Sequence, residues 1–131
     1  MIKIDGTIVI ADDNADLLNR TVRIAERTLQ GSGVIICGSG GSLYTVLGKT
    51  TDIGLVITDL NMPGKRLEEI LAEHHNKAPF VITTDDPEGA RLSEKYGAIY
   101  LRKPFEISEF ENAVINALTA YAIERVIASS Q

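Results

Sequence analysis

Three carboxylates, Asp12, Asp13 and Asp59, with the Thr84 hydroxyl and the Lys103 ammonium, are the side chains here best suited to handling a phosphoryl group. Each follows a short apolar run. Thr7-Ile-Val-Ile-Ala11 leads into Asp12-Asp13, and Gly54-Leu-Val-Ile-Thr58 into Asp59. Phe80-Val-Ile-Thr83 leads into Thr84, and Ile99-Tyr-Leu101 into Arg102-Lys103. If the runs are parallel strands, their ends converge on one edge and these groups share a pocket. Two unit charges ~4 Å apart cost about 4 kcal/mol at an effective dielectric near 20. Raised pKa values or a hard divalent cation must relieve that repulsion. Mg²⁺ suits a few carboxylate oxygens together with water and a phosphate oxygen, and it would shield an incoming phosphate from the carboxylates. Lys103 supplies a point charge and Thr84 a donor. Phosphoryl transfer asks mainly for positioning and charge stabilisation, and this set offers both.

The elements that must position these groups come in two alternating kinds. The four runs above and Val34-Ile-Ile-Cys37 are short, nearly continuous and rich in β-branched residues, as expected of strands buried on both faces of a parallel sheet. Between them lie helical patterns. Leu18, Val22, Ala25 and Leu29 form a stripe over Ala15–Leu29, with short polar residues at its start and Gly31 and Gly33 at its end. A short helix is expected at about Leu43–Gly48, a third at Leu67–His75 and a fourth at Pro87–Tyr96. The last begins near Ser108, with Glu111 completing a capping box, and its apolar face includes Phe110, Val114, Ala117, Leu118 and Tyr121. The apolar pattern continues through Ile123 and Ile127. Five β-α repeats with right-handed crossovers give an α/β sandwich with helices on both faces of one sheet. Ligands bind such sheets beyond the carboxyl ends of the strands.

Length and composition agree. The 131 residues suit one domain, with a core over about residues 7–121 and a last helix reaching about 128; 44% are hydrophobic and 24% charged. The net charge of −5 argues against direct nucleic-acid binding. The single cysteine, Cys37, excludes an internal disulfide and fits a core position in a cytoplasmic protein. No stretch has the pattern of a signal peptide or membrane span. Gly38-Ser-Gly-Gly-Ser42 lacks the phosphate-binding fingerprints and is expected to be a flexible loop. His74 and His75 project about 100° apart on a helix and are expected at the surface.

Asp12-Asp13, Asp59-Leu-Asn-Met-Pro-Gly64, Thr84 and Lys103-Pro104-Phe105, in this order and each at a strand end, resemble the response-regulator receiver family. The likeness extends from Thr7 to about Tyr121. It implies a flavodoxin-like fold with strand order 2-1-3-4-5, for which the chemotaxis regulator of this family is a standard example. It also implies that Asp59 accepts the phosphoryl group of a phosphohistidine on a histidine kinase or histidine phosphotransfer protein. Mg²⁺ or Mn²⁺ would be held by Asp13, Asp59 and the Asn61 backbone carbonyl, with Asp12 acting mostly through water. Lys103 and Thr84 would stabilise the phosphoryl group, Thr84 and Tyr100 would form the switch pair, and the bond before Pro104 would be cis. A downstream protein or output domain would engage the face made by the fourth helix, fifth strand and fifth helix.

Several features depart from that pattern. Asp85 follows Thr84 where a small residue is usual. Pro63-Gly64 is followed by Lys65-Arg66-Leu67, which implies a tight, basic loop. These departures motivate a second reading, a receiver-like scaffold that is rarely phosphorylated. A small aspartyl-nucleophile phosphatase is a third, weakened because Asp59-Leu-Asn61 lacks a second acid. Thus a self-phosphorylating acceptor is expected, not a turnover enzyme. The pattern reaching Ile127 leaves room for a homodimer helix or a linker, with a stand-alone receiver preferred.

Overall fold

The computed structural model describes residues 1–130. In chain order the elements are β1 (Ile2–Lys3), β2 (Thr7–Ala11), α1 (Ala15–Thr28), β3 (Leu29–Gln30), β4 (Gly33–Cys37) and α2 (Gly40–Lys49). They continue with β5 (Ile53–Asp59), α3 (Leu67–His74), β6 (Phe80–Thr84), α4 (Glu88–Tyr96), β7 (Ile99–Arg102) and α5 (Ile107–Ser129). The five expected runs pair as one parallel sheet in the order β4-β2-β5-β6-β7. Counted within that sheet, the order is the 2-1-3-4-5 of the flavodoxin-like sandwich. β1 and β3 add a separate two-stranded parallel pair, with Ile2 opposite Leu29.

Side chains alternate across the sheet with period two. Ile8, Ile10, Leu55, Ile57, Val81 and Leu101 point to one layer, where they meet Ile24 and Ala25 of α1 and Phe110, Val114 and Ala117 of α5. Val9, Ala11, Val56, Phe80 and Ile82 point to the other, against Leu43 and Leu47 of α2, Leu67, Ile70 and Leu71 of α3, and Leu92 of α4. Covering both faces is what demands unbroken apolar runs. The edge strand β4 departs from the expectation: Val34 and Ile36 are 40% and 53% exposed, while Cys37 is buried as expected. α3 and α4 are also joined at the surface, where Glu68 accepts hydrogen bonds from Arg91 at 2.9 Å and Lys95 at 3.1 Å.

Helix boundaries differ from expectation where side-chain caps compete. Leu29 leaves the first helix to pair in β3 but stays in the core, and the expected Leu18, Val22 and Ala25 face it together with Thr21, Ile24 and Thr28. Both threonines fit there; Thr28 returns its hydroxyl to the Ile24 carbonyl at 2.7 Å. Gly38–Ser42 is not a flexible loop. Ser39 caps α2, its Oγ accepting from the Ser42 N–H at 3.1 Å while Ser42 Oγ accepts from the Ser39 N–H at 3.2 Å. A Cβ on Gly40 would stand 1.9 Å from the Lys65 carbonyl oxygen, and the Gly40 N–H donates to Pro63 O at 2.9 Å. The shortened loop after β5 therefore rests directly on the start of α2. α5 starts two residues earlier than expected, because the reciprocal cap is made by Glu106 and Glu109 rather than Ser108 and Glu111. Its continuation is solvent-facing, with Ile123 and Ile127 exposed.

His74 corrects another expectation: it is 4% exposed, not a surface residue. Its spacing from Leu67, Ile70 and Leu71 puts it on the buried stripe of α3. Among the described residues neither ring nitrogen has a hydrogen-bond partner, although a Glu73 carboxylate oxygen lies 3.2 Å from Nε2. Burial, helped by the charge of Lys77 and opposed by Glu73, pushes the imidazole pKa down. The native state then binds fewer protons than the unfolded chain, so stability is full above the ordinary imidazole pKa of about 6.5 and is lost as pH falls below it. His74→Leu is expected to raise the urea midpoint, by about 1–3 kcal/mol of relieved desolvation. The gain should be larger near pH ~5.5 than near ~7.5. Equal gains at both pH values would remove His74 from the acid sensitivity.

Candidate phosphoryl-acceptor site

The parallel register brings the four strand ends together. Ala11, the residue before Asp12, lies opposite Thr58, Asp59 opposite Thr83, and Thr84 opposite Arg102, so the next residues emerge on one edge. Asp12 and Asp59 are only 4% and 9% exposed, whereas Asp13 is open to solvent. One carboxylate oxygen from each of Asp12, Asp13 and Asp59 falls within 4.8 Å of the others. Lys103 reaches into this group from beyond β7, with Nζ 3.0 Å from Asp12 Oδ2 and 3.4 Å from Asp59 Oδ1. The peptide bond between Lys103 and Pro104 is cis.

Backbone amides hold the carboxylates in place. The Asn14 N–H donates to Asp12 Oδ1 at 3.0 Å, and the Leu60 N–H to Asp59 Oδ1 at 2.8 Å. Burial raises the Asp59 pKa; the Lys103 charge opposes that rise, the Asp12 charge adds to it, and the Leu60 N–H opposes it. One ammonium cannot balance three carboxylates. Clustered hard oxygen donors with a remaining deficit of positive charge fit a divalent cation such as Mg²⁺.

The carboxylates open into a cavity of about 450 Å³ that also contains Asn61, Thr84, Asp85, Lys103 and Pro104 on its walls. Thr84 is 2% exposed; its Oγ1 accepts from the Asp86 N–H at 3.1 Å, leaving the hydroxyl proton free to be donated. The neighbouring Thr83 turns instead to the Thr58 carbonyl at 3.4 Å. Asp85 is exposed at the cavity. Tyr100, half-buried on β7, lies outside the residues that line it.

Two further residues support the cavity. Arg20, on α1, lines the cavity, donates to the Phe105 carbonyl at 2.9 Å and places its guanidinium 5.4 Å from the Phe105 ring centroid. Asp86 ties the first turn of α4 to the site. Its carboxylate accepts from the Glu88 N–H at 2.9 Å and from the Asn61 side-chain amide at 3.4 Å, and its own N–H bonds Thr84. Arg20 could be found only by knowing which distant residue α1 faces, whereas Asp86, directly before Pro87-Glu88, carries a turn and helix-start signal that does not by itself point to the site.

This fold is similar to that of solved response-regulator receiver domains. A signal receiver domain of an HD domain-containing protein from Pseudomonas fluorescens Pf-5 overlays with a TM-score of 0.75 at 20% identity, covering 95% of each chain. A response regulator receiver domain protein from Clostridium thermocellum overlays with a TM-score of 0.71 at 26% identity, covering 90% of this chain and 98% of that one. An adenylate cyclase structure from Rhodopirellula baltica overlays with a TM-score of 0.76 at 20% identity over 96% of each chain. No family model and no curated protein sequence matches the chain. At these identities the likeness speaks for the fold. No helix among the described residues is long and apolar enough to cross a membrane.

Proposed function

We propose that this chain is a receiver domain that accepts a phosphoryl group on Asp59 and uses it to switch a partner or output domain. The observation that carries this reading is the Lys103 ammonium bound to Asp12 and Asp59 within a carboxylate cluster at the strand ends of a receiver fold. An Asp59 oxygen attacks the phosphorus of a phosphohistidine. The new O–P bond forms as the P–N bond breaks, and the departing imidazole nitrogen keeps the electron pair and takes a proton from solvent. Asp12, Asp13 and Asp59, with the Asn61 carbonyl, would hold Mg²⁺ or Mn²⁺. When bound, that ion supplies charge neutralisation for the phosphoryl oxygens. Lys103 trades part of its bond to the carboxylates for the phosphoryl group, and the Thr84 hydroxyl donates to another oxygen.

Moving Thr84 strains its bond to the Asp86 N–H, so the site pulls on the start of α4. Tyr100 on β7 follows, and the face of α4, β7 and α5 carries the change to the partner. A shift from 1:99 to 99:1 needs about 5.5 kcal/mol of differential stabilisation. Several charge-assisted bonds, each about 1.5–3 kcal/mol, supply that scale. The chain is a stoichiometric acceptor in this reading, not a turnover enzyme.

Asp85 at the cavity favours a second reading, a scaffold that excludes phosphate by charge. Intact mass after incubation with Mg²⁺ and either a small acyl phosphate or a phosphorylated histidine donor separates the two. One phosphoryl increment with the histidine donor, absent without Mg²⁺, is expected. No increment from either donor would favour the scaffold.

A further inference from the structure

The first turn of α4 lies against both members of the switch pair. A Cβ added to the buried Gly89 would stand 2.6 Å from Thr84 Cγ2 and 2.9 Å from each of Tyr100 Cδ1 and Cε1. Backbone conformation does not require glycine there, since Gly89 is helical and is absent from the positive-φ residues. A glycine within a helix is less favourable than alanine because it loses more chain entropy on folding. The space is therefore its structural reason. We infer that Gly89 is a positioning residue, whose missing side chain lets α4 close onto the Thr84 methyl and so sets where the Tyr100 ring rests.

A methyl group entering this space meets the held Thr84 Cγ2 first, so the first turn of α4 must draw back, and the Tyr100 ring, the freer of the two neighbours, loses its seat. Thr84 is held in β6 and 2% exposed, with its hydroxyl on the Asp86 N–H at 3.1 Å and its carbonyl on the Lys103 N–H at 3.0 Å. Tyr100 is only half-buried and stands on the edge strand β7, where its ring can swing toward solvent. The importance of that ring position to signalling rests on the proposed switch, but the ring's displacement can be measured without phosphorylation.

The experiment is tyrosine nitration of unphosphorylated wild type and Gly89→Ala, mapped by peptide mass. Nitration at Tyr100 is expected to be several-fold faster in the variant, with Tyr44 and Tyr121 unchanged. Urea unfolding in a Tyr100→Ala background provides the second measurement. Gly89→Ala should lower the midpoint more when the ring is present than when it is gone, since only the Thr84 contact remains in the second background. Unaltered Tyr100 nitration together with the same midpoint change in both backgrounds would overturn the inference. If Gly89→Ala alone does not fold, folding of the double variant supports the ring as the obstacle, and failure of both overturns it. A failure of Asp59 to take phosphate would leave these two measurements intact, so the two claims fall separately.

Discussion

The Asp59→Asn protein is expected to take up no phosphoryl group from any donor and, without divalent cations, to unfold at a higher urea concentration than the wild type. The first effect follows because an amide oxygen is neither a competent nucleophile nor an anion able to form the acyl phosphate. The second follows from the like charges of Asp12, Asp13 and Asp59, whose oxygens crowd within 4.8 Å while, among the described residues, Lys103 is the one cation paired with them. Burial and Asp12 raise the Asp59 pKa despite the opposing Lys103 charge. A raised carboxyl pKa means stability is full below the unfolded-state value of about 3.9 and is lost as pH rises through the folded value. At neutral pH the charged Asp59 carboxylate therefore destabilises the fold, and its removal should gain on the order of 1 kcal/mol after the Lys103 attraction is lost. Saturating Mg²⁺ should reverse the ranking, since a ligand at a hundred times its Kd stabilises the wild type by about 2.7 kcal/mol. Equal midpoints with and without Mg²⁺ would contradict the metal assignment.

Lys103→Ala should produce the largest loss of stability among the site substitutions. Its ammonium, with the side chain 17% exposed, joins Asp12 to Asp59, so truncation leaves two carboxylates without that cation. Removing one partner of a fully buried pair costs about 3–5 kcal/mol; partial exposure brings the expectation to about 2–4 kcal/mol. The Asp59 pKa should rise further, because Lys103 is the main group holding it down. Phosphoryl uptake should slow by about 10²–10³, the scale for removing one preorganised charge stabiliser. Lys103→Arg should recover stability better than rate, since a planar fork replaces a compact point charge. Urea unfolding and the initial rate of phosphoryl incorporation measure the two effects. An uptake rate equal to wild type in Lys103→Ala would place the lysine outside the chemistry.

Legibility in the sequence followed the range of the interaction. The runs Thr7–Ala11, Gly54–Thr58 and Phe80–Thr83 are legible as strands because burial on both faces leaves unbroken apolar runs, and the strands observed there extend at most one residue further at either end. The same pattern misread β4, since an apolar composition does not distinguish an edge strand whose Ile36 is open to solvent. Caps were ambiguous at the scale of one turn: both Glu106–Glu109 and Ser108–Glu111 have capping-box spacing, and the fold selects the first. Gly38–Ser42 looks flexible from its composition, yet the Ser39–Ser42 cap and the Gly40 N–H bond to the distant Pro63 carbonyl order it. His74 stands at helical spacing from Ile70 and Leu71, a core position that a second histidine beside it and its own polarity disguise. Arg20 was invisible because its partner, Phe105, is 85 residues away.

The most direct measurement is chemical trapping of the phosphorylated residue. Wild-type protein is phosphorylated with Mg²⁺ and a phosphohistidine donor, then treated with borohydride, which reduces an aspartyl phosphate to homoserine. Peptide mass mapping then locates the change. The expected result is homoserine at position 59 alone, lost when Mg²⁺ is withheld. Homoserine at position 12, 13 or 85 with Asp59 intact, or no homoserine in protein that carries the phosphoryl mass, would contradict Asp59 as the acceptor.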